Sequence, residues 1–217
     1  MEGDAPPDDK RRPGPQVAST EHYFDADYLT AERFYSFGVQ IELVRSLEPG
    51  SVLEIGPGPG VVGSVLAPRV ERYWTVDLDP RVAPDVVADV GRLPWPDAAA
   101  DVGLCAEVME HLPFHRAEAA LRELRRVCRR GAVVSVPDIR PFYEVRLVVP
   151  KLRWHRRFPV PWARPRPHPF DGEHYWVLGA EGYPVERLRT AMTEAGWDVV
   201  EERRPDPNPY HHFFVLR

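Results

Sequence analysis

The sequence predicts a doubly wound α/β fold, a mostly parallel sheet with helices on both faces, ending in a C-terminal antiparallel strand pair. Three observations predict it. Short apolar runs alternate with helical patterns between residues 27 and 137, the rhythm of successive β-α-β units. The first run, "SVLEI", opens directly into the glycine loop "GPGPGVVG" and a following helix. The last two runs, "WDVVEERR" and "HHFFVLR", are joined only by "PDPNP" and read as a hairpin. A dinucleotide-binding sheet does not ordinarily end that way.

Each element has its own justification. Residues 1–18 are polar, proline-rich and without an apolar h-region, so a disordered tail is expected rather than a secretory signal. "DYLTAERFYSFGVQIELVRSL" places apolar residues at helical spacing and stops at Pro49-Gly50. It predicts a helix in an N-terminal cap region, residues 19–47. "SVLEI", "RYWTVDL", "DVVADV", "ADVGLC" and "AVVSVP" are the parallel strands. "RAEAALRELRRVC" is an amphipathic helix expected to stop at Gly131, and "YPVERLRTAMTEAG" a helix with Pro184 near its start and Gly196 at its end. Between them, residues 138–170 form an insertion rich in proline, arginine and aromatics. One domain over residues 19–217 is expected.

Composition narrows the class. No apolar run is long enough for a transmembrane helix. The two cysteines, Cys105 and Cys128, suggest thiols in a reducing, cytoplasmic compartment. A net charge of −5 argues against a general nucleic-acid binder.

The glycine loop holds two overlapping patterns. Gly56, Gly58 and Gly60 read as G-x-G-x-G, while Gly58, Gly60 and Gly63 read as G-x-G-x-x-G. Glycines here let the backbone turn tightly against a ligand, which suits S-adenosylmethionine and dinucleotides alike. Three details favour the methyl donor. The strand ends immediately before Gly56. Glu54 at the strand end suits an ammonium and would repel a pyrophosphate. Pro57 and Pro59 remove two N–H donors that a pyrophosphate needs. Asp77, closing the second strand, is the candidate for the ribose hydroxyls, with Leu78 after it. Asp79 is either a second candidate or a turn-capping aspartate. Asp89 is a candidate for the adenine amino group, with Val90 packing on the ring.

"VLEIGPGPG", "VDLDP", "ADVGRLPWPDAAADVGLCAEVMEHL" and the terminal hairpin together resemble class I S-adenosylmethionine-dependent methyltransferases of the small-domain type 11 group. The resemblance spans residues 50–217 with several motifs in order. It implies a Rossmann-like seven-stranded sheet and a cofactor site at Glu54, Gly56, Gly58, Gly60, Asp77, Asp89 and Val90. Ala106 and Glu107 would face the methionyl end.

"AEVMEHL" carries an E-x-x-E-H pattern that also resembles two methyltransferase subgroups, the 3′-terminal 2′-O-methyltransferases of small RNAs and the ubiquinone-pathway O-methyltransferases. A divalent cation such as Mg²⁺ or Mn²⁺ at Glu107, Glu110, His111 and His174 is the corresponding expectation, although Val177 replaces the acid expected in the second segment. Without metal, His111 is the best candidate base. His115 is expected to begin the next helix. Of His211 and His212 on the last strand, one is expected to face solvent, with His212 the better alternative base.

The insertion carries Arg140, Arg146, Lys151, Arg153, Arg156, Arg157, Arg164 and Arg166 against Glu144 alone. Phe142, Tyr143, Trp154, Phe158, Trp162 and Phe170 are expected to wall an apolar pocket. The arginines admit a solvated lid, an anionic small molecule, peripheral contact of residues 142–166 with a membrane, or, last in order, RNA. Tyr23, Phe24 and Tyr28 are candidates to close the cofactor site. O-methylation of a small-molecule hydroxyl is the leading functional expectation. The alternatives are a metal-dependent RNA 3′-end 2′-O-methyltransferase, a NAD-dependent oxidoreductase, and a non-catalytic cofactor-binding partner.

Overall fold

The computed structural model describes residues 19–217; the tail expected over residues 1–18 lies outside them. Thr30 opens α1 (Ala31–Ser46), its side chain accepting the Arg33 N–H at 3.2 Å. β1 (Ser51–Ile55) leads through the glycine loop into α2 (Val61–Leu66). β2 (Arg72–Asp77), a two-residue β3 (Val86–Val87) and β4 (Ala100–Ala106) follow. α3 (Phe114–Val127) runs straight into β5 (Cys128–Pro137). The insertion forms a separate hairpin of β6 (Phe142–Val149) and β7 (Leu152–Pro159). α4 (Val185–Glu194), β8 (Val199–Arg203) and β9 (His211–Leu216) complete the chain.

The central sheet has seven strands in the order β3-β2-β1-β4-β5-β9-β8. β3 through β5 are parallel, and β9 inserts antiparallel between β5 and β8. This is the predicted doubly wound sheet with its C-terminal antiparallel pair. The central parallel strands β1, β4 and β5 bury both faces, and their alternation assigns neighbours to opposite cores. Val52, Val102, Leu104 and Val133 pack under α1 and α2. Leu53, Cys105, Val134 and Val136 pack under α3 and α4. No described helix is long and apolar enough to cross a membrane.

Three expectations are corrected here. Gly131 does not stop a helix. It lies within β5, where a Cβ would stand 2.5 Å from the Leu216 carbonyl oxygen, so the close approach of β9 requires glycine. Neither His211 nor His212 faces solvent, because β9 is an interior strand; both are buried. The insertion is no wall of the pocket. Its two strands pair with each other, and Tyr143, Trp154, Phe158, Trp162 and Phe170 point outward as exposed side chains.

Candidate active site

A cavity of about 260 Å³ opens at the carboxyl ends of β1, β2 and β4, where ligands sit in doubly wound sheets. Its floor is the loop after β1. Gly56, Gly58 and Gly60 take φ of +70°, +51° and +72°, a left-handed region costly to other residues. Gly56, Gly58, Pro57 and Pro59 line the cavity, whereas Gly60 stands behind as the residue preceding α2. The loop is poor in donors. Pro57 and Pro59 have no N–H, the Gly56 N–H donates to the Val76 carbonyl at 2.9 Å, and the Gly60 N–H to the Pro57 carbonyl at 2.9 Å. Four of its five residues therefore offer nothing to a pyrophosphate, which disfavours the dinucleotide reading.

Glu54 projects from the end of β1 and accepts the Tyr73 hydroxyl at 2.8 Å. Burial pushes its carboxyl up to about 7, against the lowering effect of the Tyr73 hydrogen bond. Asp77 ends β2 and accepts the Asp79 N–H at 2.8 Å, and burial raises its pKa. Asp79 takes its capping role. It accepts the Arg81 N–H at 2.9 Å and is gripped in a fork by the Arg81 guanidinium. Of the two acids, Asp77 is thus the one open to ribose hydroxyls. Asp89 accepts the Gly91 N–H at 2.9 Å and pairs with Arg116; Leu78, Ala88 and the buried Val90 complete this end.

The opposite end is built by the chain leaving β4. Ala106 and Glu107 line it, as expected, and Glu107 has φ +55°. The Glu107 N–H donates to the Ser135 carbonyl at 2.9 Å, and the Ser135 hydroxyl donates to Glu107 Oε1 at 2.8 Å. His211 Nε2 lies 3.5 Å from Oε2 of the cavity-lining Glu107, so His211, not His212, backs the site. Burial moves Glu107 up to about 7 and His211 down to about 3. His212 belongs to a separate cluster with Asp138, at 2.9 Å.

The turn after Glu107 carries Glu110 and His111. Glu110 is fully buried and both its carboxylate oxygens lack a hydrogen-bond partner; burial and the neighbouring Glu107 charge hold its pKa well up. His111 Nδ1 lies 3.0 Å from the Glu173 carbonyl, which can only accept, so the proton sits on Nδ1 and Nε2 is the basic nitrogen. Burial and His174 lower the His111 pKa. His174 is delivered by the segment after the insertion, its ring centroid 4.8 Å from that of His111. Asp171 fixes that segment by accepting the Glu173 and His174 N–H groups at 3.0 and 2.7 Å. One donor atom each from Glu110, His111 and His174 lies within 4.8 Å of the others. Glu107, held by Ser135, is outside that group.

Tyr23 and Tyr28 line the cavity as expected and meet edge to face at 5.3 Å, while Phe24 is 68% exposed and takes no part. His115 is the second residue of α3. Tyr73, Ser135, Arg33, Glu173 and Tyr210 were not foreseen. A signal existed for Tyr73, since the register pairs Glu54 with Thr75 and places Tyr73 diagonally on the same face.

Fold and site together are of the doubly wound class, with one end of the cavity between the β1 loop and Asp77 and the other at the β4 turn. Residues 53–136 match the protein family described as "Methyltransferase domain". The N-methyltransferase NodS from Bradyrhizobium japonicum WM9, in complex with S-adenosyl-L-homocysteine, has a similar structure (TM-score 0.62, 15% identity, 93% of this chain and 97% of that one). So does the 1,6-didemethyltoxoflavin-N1-methyltransferase of Burkholderia thailandensis (TM-score 0.60, 16% identity, 91% and 81%). The CcbJ methyltransferase of Streptomyces caelestis is also similar (TM-score 0.54, 17% identity, 82% and 87%). No curated protein matches the chain. Residues 53–136 are thus similar to a methyltransferase domain, and the fold as a whole is shared with methyltransferases of known structure.

Proposed function

We propose that the chain is an S-adenosylmethionine-dependent methyltransferase that methylates a hydroxyl of a small molecule, with His111 as the base. The observation that carries this is the Glu173 carbonyl on His111 Nδ1, which sets the tautomer whose basic Nε2 belongs to a cavity-lining ring. The acceptor oxygen attacks the methyl carbon as the carbon–sulfur bond breaks. The bonding pair goes to sulfur, and the hydroxyl proton goes to Nε2. A lowered histidine pKa keeps the ring neutral and able to accept near pH 7. The protein's remaining contribution is alignment, through Glu54 and Asp77 on the cofactor and Tyr23 and Tyr28 across it.

The test is a panel of phenol, sugar and amine acceptors with methyl-labelled cofactor, the product's methyl located by NMR. A methyl ether is expected; methyl on nitrogen or carbon refutes the reading. His111→Gln should lower kcat by about 10²- to 10⁴-fold while leaving cofactor affinity within twofold.

A specific observation favours a second reading. Glu110, with both oxygens buried and unpartnered, offers a ligand atom within 4.8 Å of ring nitrogens of His111 and His174, and one carboxylate with two imidazoles suits a divalent cation. Bound there, a cation would supply Lewis-acid activation of an acceptor hydroxyl. Elemental analysis of protein dialysed against Mn²⁺ or Mg²⁺ tests it. One equivalent in the wild type, lost in Glu110→Gln, is expected; a value near zero in both removes the cation.

A further inference from the structure

The β6–β7 hairpin takes no part in the methyl-transfer site, and its two faces differ. Cross-strand pairs Phe142–Pro159, Glu144–Arg157 and Arg146–His155 share one face. At its base that face closes on the loop between β8 and β9. Arg157 donates to the Pro205 carbonyl at 3.2 Å and lies over the Phe142 ring at 4.7 Å, and His155 pairs with Asp206. The opposite face presents Tyr143, Val145, Leu147, Trp154 and Phe158, all exposed. Trp162, 71% exposed, packs against Tyr143.

The tip is apolar and cationic. Val148, Val149 and Leu152 are exposed around the turn Pro150–Lys151. Lys151 holds φ +70°, a conformation that ordinarily selects glycine or asparagine. The sequence thus keeps a lysine there against the preference of the backbone. Charge is segregated as well. Residues 140–168 carry eight cations and one carboxylate in a chain of net charge −5. Lys151, Arg156, Arg164 and Arg166 are exposed and form no ion pair among the described residues.

We propose that this face and tip, residues 142–166, dock the enzyme onto an anionic lipid bilayer. A bilayer interface accepts the whole combination: aliphatic side chains enter the acyl boundary, tryptophan and tyrosine sit at headgroup level, and cations meet lipid phosphates. Competing occupants each leave part of it unused. A second copy across the same face sets like charges against each other. A nucleic acid uses the cations and rings but not the aliphatic tip. The chain runs from Trp162 and Phe170 directly to Glu173 and His174, so the docked segment adjoins the acceptor end of the cavity.

The experiment is co-sedimentation of the full chain with extruded vesicles, phosphatidylcholine with about 30% phosphatidylglycerol against phosphatidylcholine alone. Binding to the anionic vesicles, a blue shift in tryptophan emission and release at high salt are expected. Lys151→Ala and Arg156→Ala should each weaken binding about fivefold. Val148→Asp with Leu152→Asp should abolish it, with unchanged S-adenosylhomocysteine affinity showing that the fold is kept. Three results overturn the proposal. One is no sedimentation with anionic vesicles at low salt. Another is equal binding to both vesicle types. The third is a dimer, or a complex with poly(U), that is lost in the aspartate variant while vesicles are ignored.

Discussion

Gly56→Ala tests how the cofactor loop is locked to the end of β4. At φ +70° an alanine costs about 1–2 kcal/mol in backbone conformation. Its Cβ would also stand 2.5 Å from Val108 Cγ2, an overlap worth about 1–3 kcal/mol by analogy with overpacked cores. The sum is about 2–5 kcal/mol. Gly60 is the control within the same loop. Its φ is +72°, but a Cβ there meets nothing within 4 Å, so Gly60→Ala should cost only the backbone part. Where the loop relaxes in the free enzyme, the cost reappears on cofactor binding, at about tenfold per 1.4 kcal/mol. Calorimetric titration with S-adenosylhomocysteine, together with urea unfolding, measures both shares. Val108→Ala added to Gly56→Ala removes the clashing methyl and should return affinity to within about tenfold of Gly60→Ala. Equal losses at Gly56 and Gly60, or no rescue by Val108→Ala, would refute the steric argument.

Other outcomes follow from the same geometry. Glu54, raised to about 7 by burial, keeps its proton in the folded enzyme between pH 4.5 and 7 while the unfolded chain has lost it. Its contribution is therefore full below about pH 4.5 and is lost as pH rises through 7, about 3 kcal/mol in all. Glu54→Gln should flatten the fall of the urea midpoint over that window, and an unchanged slope would exclude Glu54 as its source. Asp138 is buried at the end of β5 and held by Arg140, His212 and Arg204, which together bring its carboxyl far below the usual range despite burial. Its contribution is present above about pH 4 and lost as pH falls below that. Asp138→Asn should cost about 3–5 kcal/mol at pH 7, and hydrogen exchange should show residues 142–159 loosened. Cys105 and Cys128 are buried thiols with raised pKa, Cys128 up to about 12, so a thiol reagent should label neither until the protein unfolds.

Much of the cavity lining around the β1 loop was legible because it depends on local chemistry. Glu54, the loop glycines and Asp77 lie at strand ends, where spacing and residue type fix their place. The opposite end depends on long-range closure. Ser135 reaches Glu107 from the neighbouring strand, Glu173 reaches His111 from 62 residues away, and Tyr210 arrives from the far end of the chain. No periodicity announces such pairings. The hairpin was missed for a different reason. Tyr143, Val145, Leu147 and Val149 do alternate with polar neighbours, but the alternation breaks at Val148, and a Pro-Lys turn lacks the Asn-Gly signature that marks most two-residue hairpins.

The two glycine patterns can now be separated by cause. Gly56, Gly58 and Gly60 are required by φ. Gly63, the residue that completes the dinucleotide spacing, is not. A Cβ at Gly63 would lie 3.2 Å from Glu54 Oε2 and 3.3 Å from Tyr73 Cε1. The third glycine thus clears space for a buried carboxylate and its phenol, a pair with no use in holding a pyrophosphate. The G-x-G-x-x-G match arises because the Glu54–Tyr73 pair needs room behind β1. Gly63→Ala tests this, since α2 keeps its backbone while the Glu54–Tyr73 pair must yield by a few tenths of an ångström. Alanine is the better helix former by about 1 kcal/mol, so any damage must come from the displaced carboxylate. Cofactor affinity should fall about tenfold while the urea midpoint moves little. Unchanged affinity with higher stability would show that Gly63 has no steric part in the site.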